Sequence, residues 1–126
     1  MHGDVVLLNF FSTHCGPCLA ELPHIQDVWD QYGDRDDFHL LVLGRDETQD
    51  TVARFQKEHG FSFPMAADRN GRVFQLYAAE GIPRTYVIAR DGTIAYQSLG
   101  FQDSNDDRDD LERLHAGLRQ ALNQPD

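Results

Sequence analysis

Only two of the 126 residues are cysteine. That is too few to staple a small secreted scaffold, and at 40% hydrophobic the chain can build a core without a staple, so a purely structural bridge is disfavoured. The length suits a single domain over residues 1–126. Lysine is nearly absent: one Lys accompanies ten Arg against 21 acidic residues, for a formal charge of -10. A nucleic-acid partner, which requires concentrated Lys and Arg against its phosphates, is therefore excluded, and the acidity reads as a solubility feature. No apolar run approaches the roughly 20 residues that span a bilayer. The opening "MHGDVVLL" also lacks the charged region, long apolar region and cleavage site of a signal peptide. The chain is expected to be soluble, monomeric and without membrane contact of its own.

What is present is an alternation of strand and helix patterns. "DVVLLNFF", Asp4 to Phe11, is a β-prone apolar run of the kind found in a central strand buried on both faces. Leu19, Leu22, Ile25, Val28, Trp29 and Tyr32 recur at helical spacing up to Gly33, with Pro23 inside the pattern, where it is expected to kink the axis. "FHLLVLG" is a second buried strand, and Val52, Phe55 and His59 mark an amphipathic helix after it. "FPMAA" suits a short edge strand, "DRNG" a turn, and Val73, Leu76 and Tyr77 a further helical stripe. "RTYVIA" and "TIAYQS" flank "RDG" as a hairpin. Leu111, Leu114, Leu118 and Leu122 give a last helix, capped within Ser104 to Asp110. Asp103, Asn105 and Asp107 match alternate positions of a calcium loop. The required Gly and Glu are replaced by Arg108 and Leu114, so the calcium reading fails.

The two cysteines stand together in "NFFSTHCGPCLAELPHI" at the start of the first helix. A thiolate there meets unpaired backbone N–H groups and the positive end of the helix dipole, so Cys15 should ionise more easily than a free cysteine and act as the nucleophile. Cys18, one turn further in, is placed to reach back and release a mixed disulfide. Zinc would need two further ligands. There is no second Cys pair, His14 directly precedes Cys15, and the helix carries His24 away from its opening turn, so no metal site is expected. A protonated His14 would favour the Cys15 thiolate, and an exposed, uninvolved His14 is the plainer alternative.

"VVLLNFFSTHCGPCLAELP", followed much later by "GIPRTYVIARDGTI", resembles the thioredoxin superfamily. Within it the chain resembles the TlpA/ResA-like thiol-disulfide oxidoreductases, related to the AhpC/TSA proteins. The resemblance implies an α/β, thioredoxin-like fold: a central mixed β-sheet flanked by helices on both faces, with a TlpA-like helix-strand insertion near residues 45–79. It implies a redox-active Cys15-Cys18 disulfide as the sole redox group, Gly16 and Pro17 as its active-site loop with His14, and a cis peptide at Ile82-Pro83. Ile82 and Pro83 then form a platform where an extended substrate segment pairs. Glu21 also matches the branch. Thioredoxins proper carry a buried Asp where this chain has Asn9, which cannot transfer a proton. Glu21, one turn past Cys18, is expected to take the Cys18 proton if burial raises its pKa; from spacing alone a solvated helix Glu fits equally.

The implied activity is reduction of protein disulfides by way of a mixed disulfide, because a Gly-Pro spacer resembles thioredoxin-type reductants (about −270 mV) rather than DsbA-type oxidants (about −120 mV). The implied partners are protein disulfide or dithiol substrates and an upstream electron donor, in a periplasmic or extracytoplasmic setting. Apocytochrome c thiols, a cell-envelope enzyme and a general pool stay open as substrates. The sequence departs from the family at His14, where Trp is usual, and at Arg84 and Ala89. It also begins at the central strand, so the family's N-terminal hairpin and anchor or signal segment are expected to be missing. A thiol peroxidase of the peroxiredoxin or glutathione-peroxidase type, a metal-binding thioredoxin-like carrier and a non-enzymatic interaction domain are the alternatives.

Overall fold

A computed structural model describes residues 3–77, 82–99 and 105–124, with the side chains of 105–110 outside the description. The chain runs β1 (Val5–Phe11), α1 (Gly16–Tyr32), β2 (Phe38–Arg45), α2 (Gln49–His59), β3 (Met65–Asp68), a 3-10 turn at Arg69–Gly71, α3 (Arg72–Tyr77), β4 (Arg84–Ile88), β5 (Ile94–Leu99) and α4 (Asn105–Asn123). The strands form one sheet in the order β3-β2-β1-β4-β5. β1 pairs parallel with β2 and antiparallel with β4, β2 pairs parallel with β3, and β4 and β5 form the antiparallel hairpin.

The apolar run of β1 is central, and its period-two alternation divides the core. Val5, Leu7 and Phe11 join Leu22, Ile25 and Val28 of α1, Phe55 of α2 and Leu118 of α4 on one face. Leu8 and Phe10 turn to the other face and pack with Leu43, Phe74 and Tyr86. Helices thus cover both faces, with α3 alone on the thinner side among the described residues. Gly117 permits α4 to lie close against β5, since a Cβ there would meet the Cβ of Tyr96 at 3.1 Å.

α3 differs from the expected stripe. Phe74 is its buried residue, set edge-on to Phe10 at 5.3 Å, while Leu76 is 80% exposed and Tyr77, partly exposed, lays its ring against Phe10 and Tyr86. A helix of six residues is too short for spacing to specify a face, and the buried Asp68 carboxylate instead fixes its start by accepting the Val73 and Phe74 N–H groups. The helix over Leu114, Leu118 and Leu122 is present, and its expected caps between Ser104 and Asp110, like the acidic cluster itself, lie outside the described side chains.

At the end of the sheet opposite the cysteines, Arg90 joins strand, loop and C-terminal helix. Its guanidinium donates to Asp37 and to the Leu122 carbonyl. The Arg35 and Arg90 hydrogen bonds hold the Asp37 carboxyl well below the usual carboxylate range. A folded-state pKa that is depressed contributes stability above the unfolded value, about 4, and that contribution fades as pH falls below it. Arg90→Ala should therefore cost about 1–3 kcal/mol at pH 7, the range for hydrogen bonds to charged groups. The gap between variant and parent in urea midpoint should narrow below about pH 4. An equal gap at pH 7 and pH 3 would show that Asp37 is not the partner that matters.

Candidate active site

The site follows from where the strands end. β1 and β2 run parallel, so their carboxyl ends lie together, and antiparallel β4 starts at that same edge. Arg84 pairs with Phe10, which brings Ile82 and Pro83 to the level where β1 leads into the cysteines. Sequence positions about 70 apart are joined there, and α1 starts from it.

After Phe11 the chain makes a short turn in which the Cys15 N–H donates to the Ser12 carbonyl at 3.1 Å and the His14 N–H to Ser12 Oγ at 3.2 Å. Cys15 has extended backbone angles and is the N-cap of α1. Its sulfur takes the place of the usual capping oxygen and accepts the Cys18 N–H at 3.2 Å. Pro17 occupies the first turn, where its missing N–H costs no helical hydrogen bond. Cys15 and Cys18 are joined as a disulfide, their Cα atoms 5.2 Å apart. Cys15 is half-buried, Cys18 is closed off at 1% exposure, and His14, Gly16 and Pro17 are exposed around them.

Beneath the first turn lies a buried polar group of three. Asn9 occupies an odd position of β1 and so faces α1; Thr85 sits directly across from it on β4; Glu21 points in from the turn after Cys18. The Asn9 amide donates to Glu21 Oε1 at 2.7 Å and to Thr85 Oγ1 at 2.9 Å, and the Thr85 hydroxyl donates to the same Glu21 oxygen at 3.0 Å. Glu21 is 5% exposed, which removes the solvated-helix alternative that spacing left open. Asn9 Oδ1 is buried and receives no hydrogen bond. A buried carboxylate oxygen with two donors is well solvated by the protein, so this layer fixes the relation of β1, β4 and α1 under the dithiol.

The Ile82-Pro83 bond is cis. Pro83 is buried and Ile82 half-buried, the latter at the lip of a cleft of about 300 Å3 shared with Ser12, Arg45, Asp46 and Asn70. Two residues outside the sequence expectations also belong to the site. Thr85 owes its place to the register of β4, which no local pattern reveals. Glu47, from the loop after β2, accepts both donors of Thr13. Among the described residues no cluster of three His, Cys, Asp or Glu is placed to hold a metal ion, and no helix is long and apolar enough to cross a membrane.

A model of the Redoxin family matches residues 1–114. The chain belongs to the Redoxin family. This Redoxin chain is 30% identical over 102 residues to the thiol-disulfide oxidoreductase ResA of Bacillus thuringiensis (strain Al Hakam), covering 81% of its own length and 58% of that protein's. It is 36% identical over 94 residues to ResA of Oceanobacillus iheyensis, covering 75% and 48%. The chain thus spans about half the length of the curated relatives it matches. A Chlorobium tepidum protein assigned as the thiol:disulfide interchange protein DsbE superposes with a TM-score of 0.80 at 29% identity, over 96% of this chain and 82% of that one. StoA from Bacillus subtilis, at 24% identity and a TM-score of 0.71 over 90% and 84%, shares the fold. The thioredoxin-like fold implied by the sequence resemblance is therefore the fold of this Redoxin chain.

Proposed function

We propose that this Redoxin-family chain is a thiol-disulfide oxidoreductase that reduces protein disulfides through Cys15 and Cys18. One observation carries the reading: a half-buried cysteine caps α1 with its sulfur on a helix amide, while a closed partner sits one turn inside. In the reduced chain the Cys15 thiolate attacks one sulfur of a substrate disulfide, forming a mixed disulfide and expelling the other sulfur as a thiolate, which takes up a proton. Cys18 then loses its proton and attacks the Cys15 sulfur. This expels the second substrate thiol and leaves the Cys15-Cys18 disulfide, so two electrons have passed to the substrate. A dithiol donor resets the pair by the reverse exchange. The cysteine pair is itself the redox group.

Glu21 is the proton acceptor for Cys18 in this proposal. It lies one helical turn beyond Cys18, on the buried side of α1, and its carboxyl is held by Asn9 and Thr85. A carboxylate held there serves as the general base for the Cys18 thiol. Ile82, beside the buried Pro83 at the cleft lip, offers backbone for an extended substrate segment. The kinship with the thiol-disulfide oxidoreductase ResA supports an extracytoplasmic setting and protein thiols as substrates.

Cys15→Ser should abolish disulfide reduction, and Cys18→Ser should accumulate a mixed disulfide with a substrate protein, seen as a reducible adduct by mass spectrometry. Peroxide consumption that survives in Cys18→Ser would instead assign a one-cysteine peroxidase.

Glu21→Gln keeps the size of the side chain and removes proton transfer. It should slow disulfide reduction by about 10²-fold, the low end of the range for general acid–base assistance, and remove one step from the pH–rate profile. Parent and variant profiles that overlay between about pH 5 and 9, a span covering the ordinary Glu and Cys values, would leave Glu21 a purely structural residue.

A further inference from the structure

Glu47 stands two residues after β2, in the loop that leads to α2. Its Oε1 accepts the Thr13 N–H at 3.1 Å; its Oε2 accepts the Thr13 hydroxyl at 2.5 Å and shares the N–H at 3.3 Å. Thr13 lies in the turn that carries Cys15. With the Ser12 contacts to the His14 and Cys15 amides, three consecutive N–H groups before the helix are all bound from within the turn or by Glu47. The Cys15 sulfur is left facing the amide of Cys18. The strand end is shaped to admit this carboxylate. A Cβ on Gly44 would stand 2.9 Å from Glu47 Oε1 and 2.8 Å from Val52 Cγ2, so a larger residue there would push Glu47 off Thr13.

We propose that Glu47 is a positioning residue that seats the Ser12–His14 turn and thereby holds the Cys15 sulfur on the helix start. It acts through Thr13, with no contact to substrate required. The loop between β2 and α2, which lies outside the dithiol segment, thus sets the reactivity of Cys15. The inference rests on Cys15 being the attacking thiol, and its test separates failure of that reading from failure of its own.

Charge and position predict opposite results. A carboxylate acting by its charge alone would disfavour a nearby thiolate, so removing it would lower the Cys15 pKa. A carboxylate acting as a clamp stabilises the thiolate through the cap, so removing it raises that pKa. Gln separates the two, because a single oxygen, Oε2, already reaches both Thr13 donors and an amide oxygen can do the same.

The experiment follows iodoacetamide labelling of Cys15 against pH in the reduced full chain carrying Cys18→Ser, comparing Glu47, Glu47→Gln, Glu47→Ala and Thr13→Val. Glu47→Ala should move the labelling midpoint upward and cut the rate at pH 7 by about three- to tenfold, the size of a lost N-cap hydrogen bond. Glu47→Gln should restore most of the parent profile, and Thr13→Val, which keeps the N–H, should fall between. The effects of Glu47→Ala and Thr13→Val should be less than additive when combined. Equal downward shifts in Gln and Ala would overturn the clamp in favour of charge, and profiles that all overlay would overturn any role for Glu47. Should Glu47→Ala not fold, an unrestored Gln profile, or a Thr13→Val profile identical to the parent, overturns the proposal. A parent Cys15 that labels no faster than a free thiol would overturn the assignment of Cys15 itself.

Discussion

The amide of Cys18 points at the sulfur of Cys15, 3.2 Å away, in the place where a helix ordinarily receives a Ser or Asp oxygen. A sulfur in that position is both a cap and a stabilised leaving and attacking group, because the unpaired amides and dipole of the first turn favour negative charge on it. The contact exists only if the chain leaves β1 in extended conformation and turns within a few residues. The length of β1, the Ser12 hydrogen bonds, Pro17 in the first turn and the seating of Thr13 all serve that geometry. The difference between the two cysteines follows from it as well: the cap residue is only half-buried, and the residue one turn inside is closed off in the core.

Below that contact, a polar layer replaces what would otherwise be apolar packing. Burying Asn9, Glu21 and Thr85 among the strands costs solvation of each, and their mutual hydrogen bonds offset that cost only while all three stay in register. A slip of β4 by one residue would exchange Thr85 for Arg84 or Tyr86 and leave Glu21 and Asn9 short of a partner. The layer therefore couples strand register to the placement of α1, and through α1 to the dithiol. Arg90 does comparable work at the far end of the sheet, where it links Asp37 to the end of α4.

Local patterns carried much of this. The buried runs of β1 and β2, the stripe of α1, the hairpin around "RDG" and the two cysteines at a helix start can each be read from neighbouring residues, because strand and helix periodicities and turn chemistry are local. α3 could not be read this way: in six residues the apolar spacing of Val73, Leu76 and Tyr77 competes with Phe74, and the Asp68 cap and the Phe10 ring decide the face. Spacing left Glu21 undecided between solvent and core, since position on a helix does not say what lies across from it. Thr85 depends on strand register and Glu47 on how two loops meet, so neither had a local signature. The turn residue His14, read as exposed or as an aid to Cys15, is exposed.

The central claim is that the helix-start cysteine is the attacking thiol. Fully reduced chain is treated at pH 7 with less than one equivalent of iodoacetamide, digested, and the labelled cysteine located by mass spectrometry. The account predicts the label on Cys15 with Cys18 nearly unmodified; label on Cys18, or equal label on both, would contradict it.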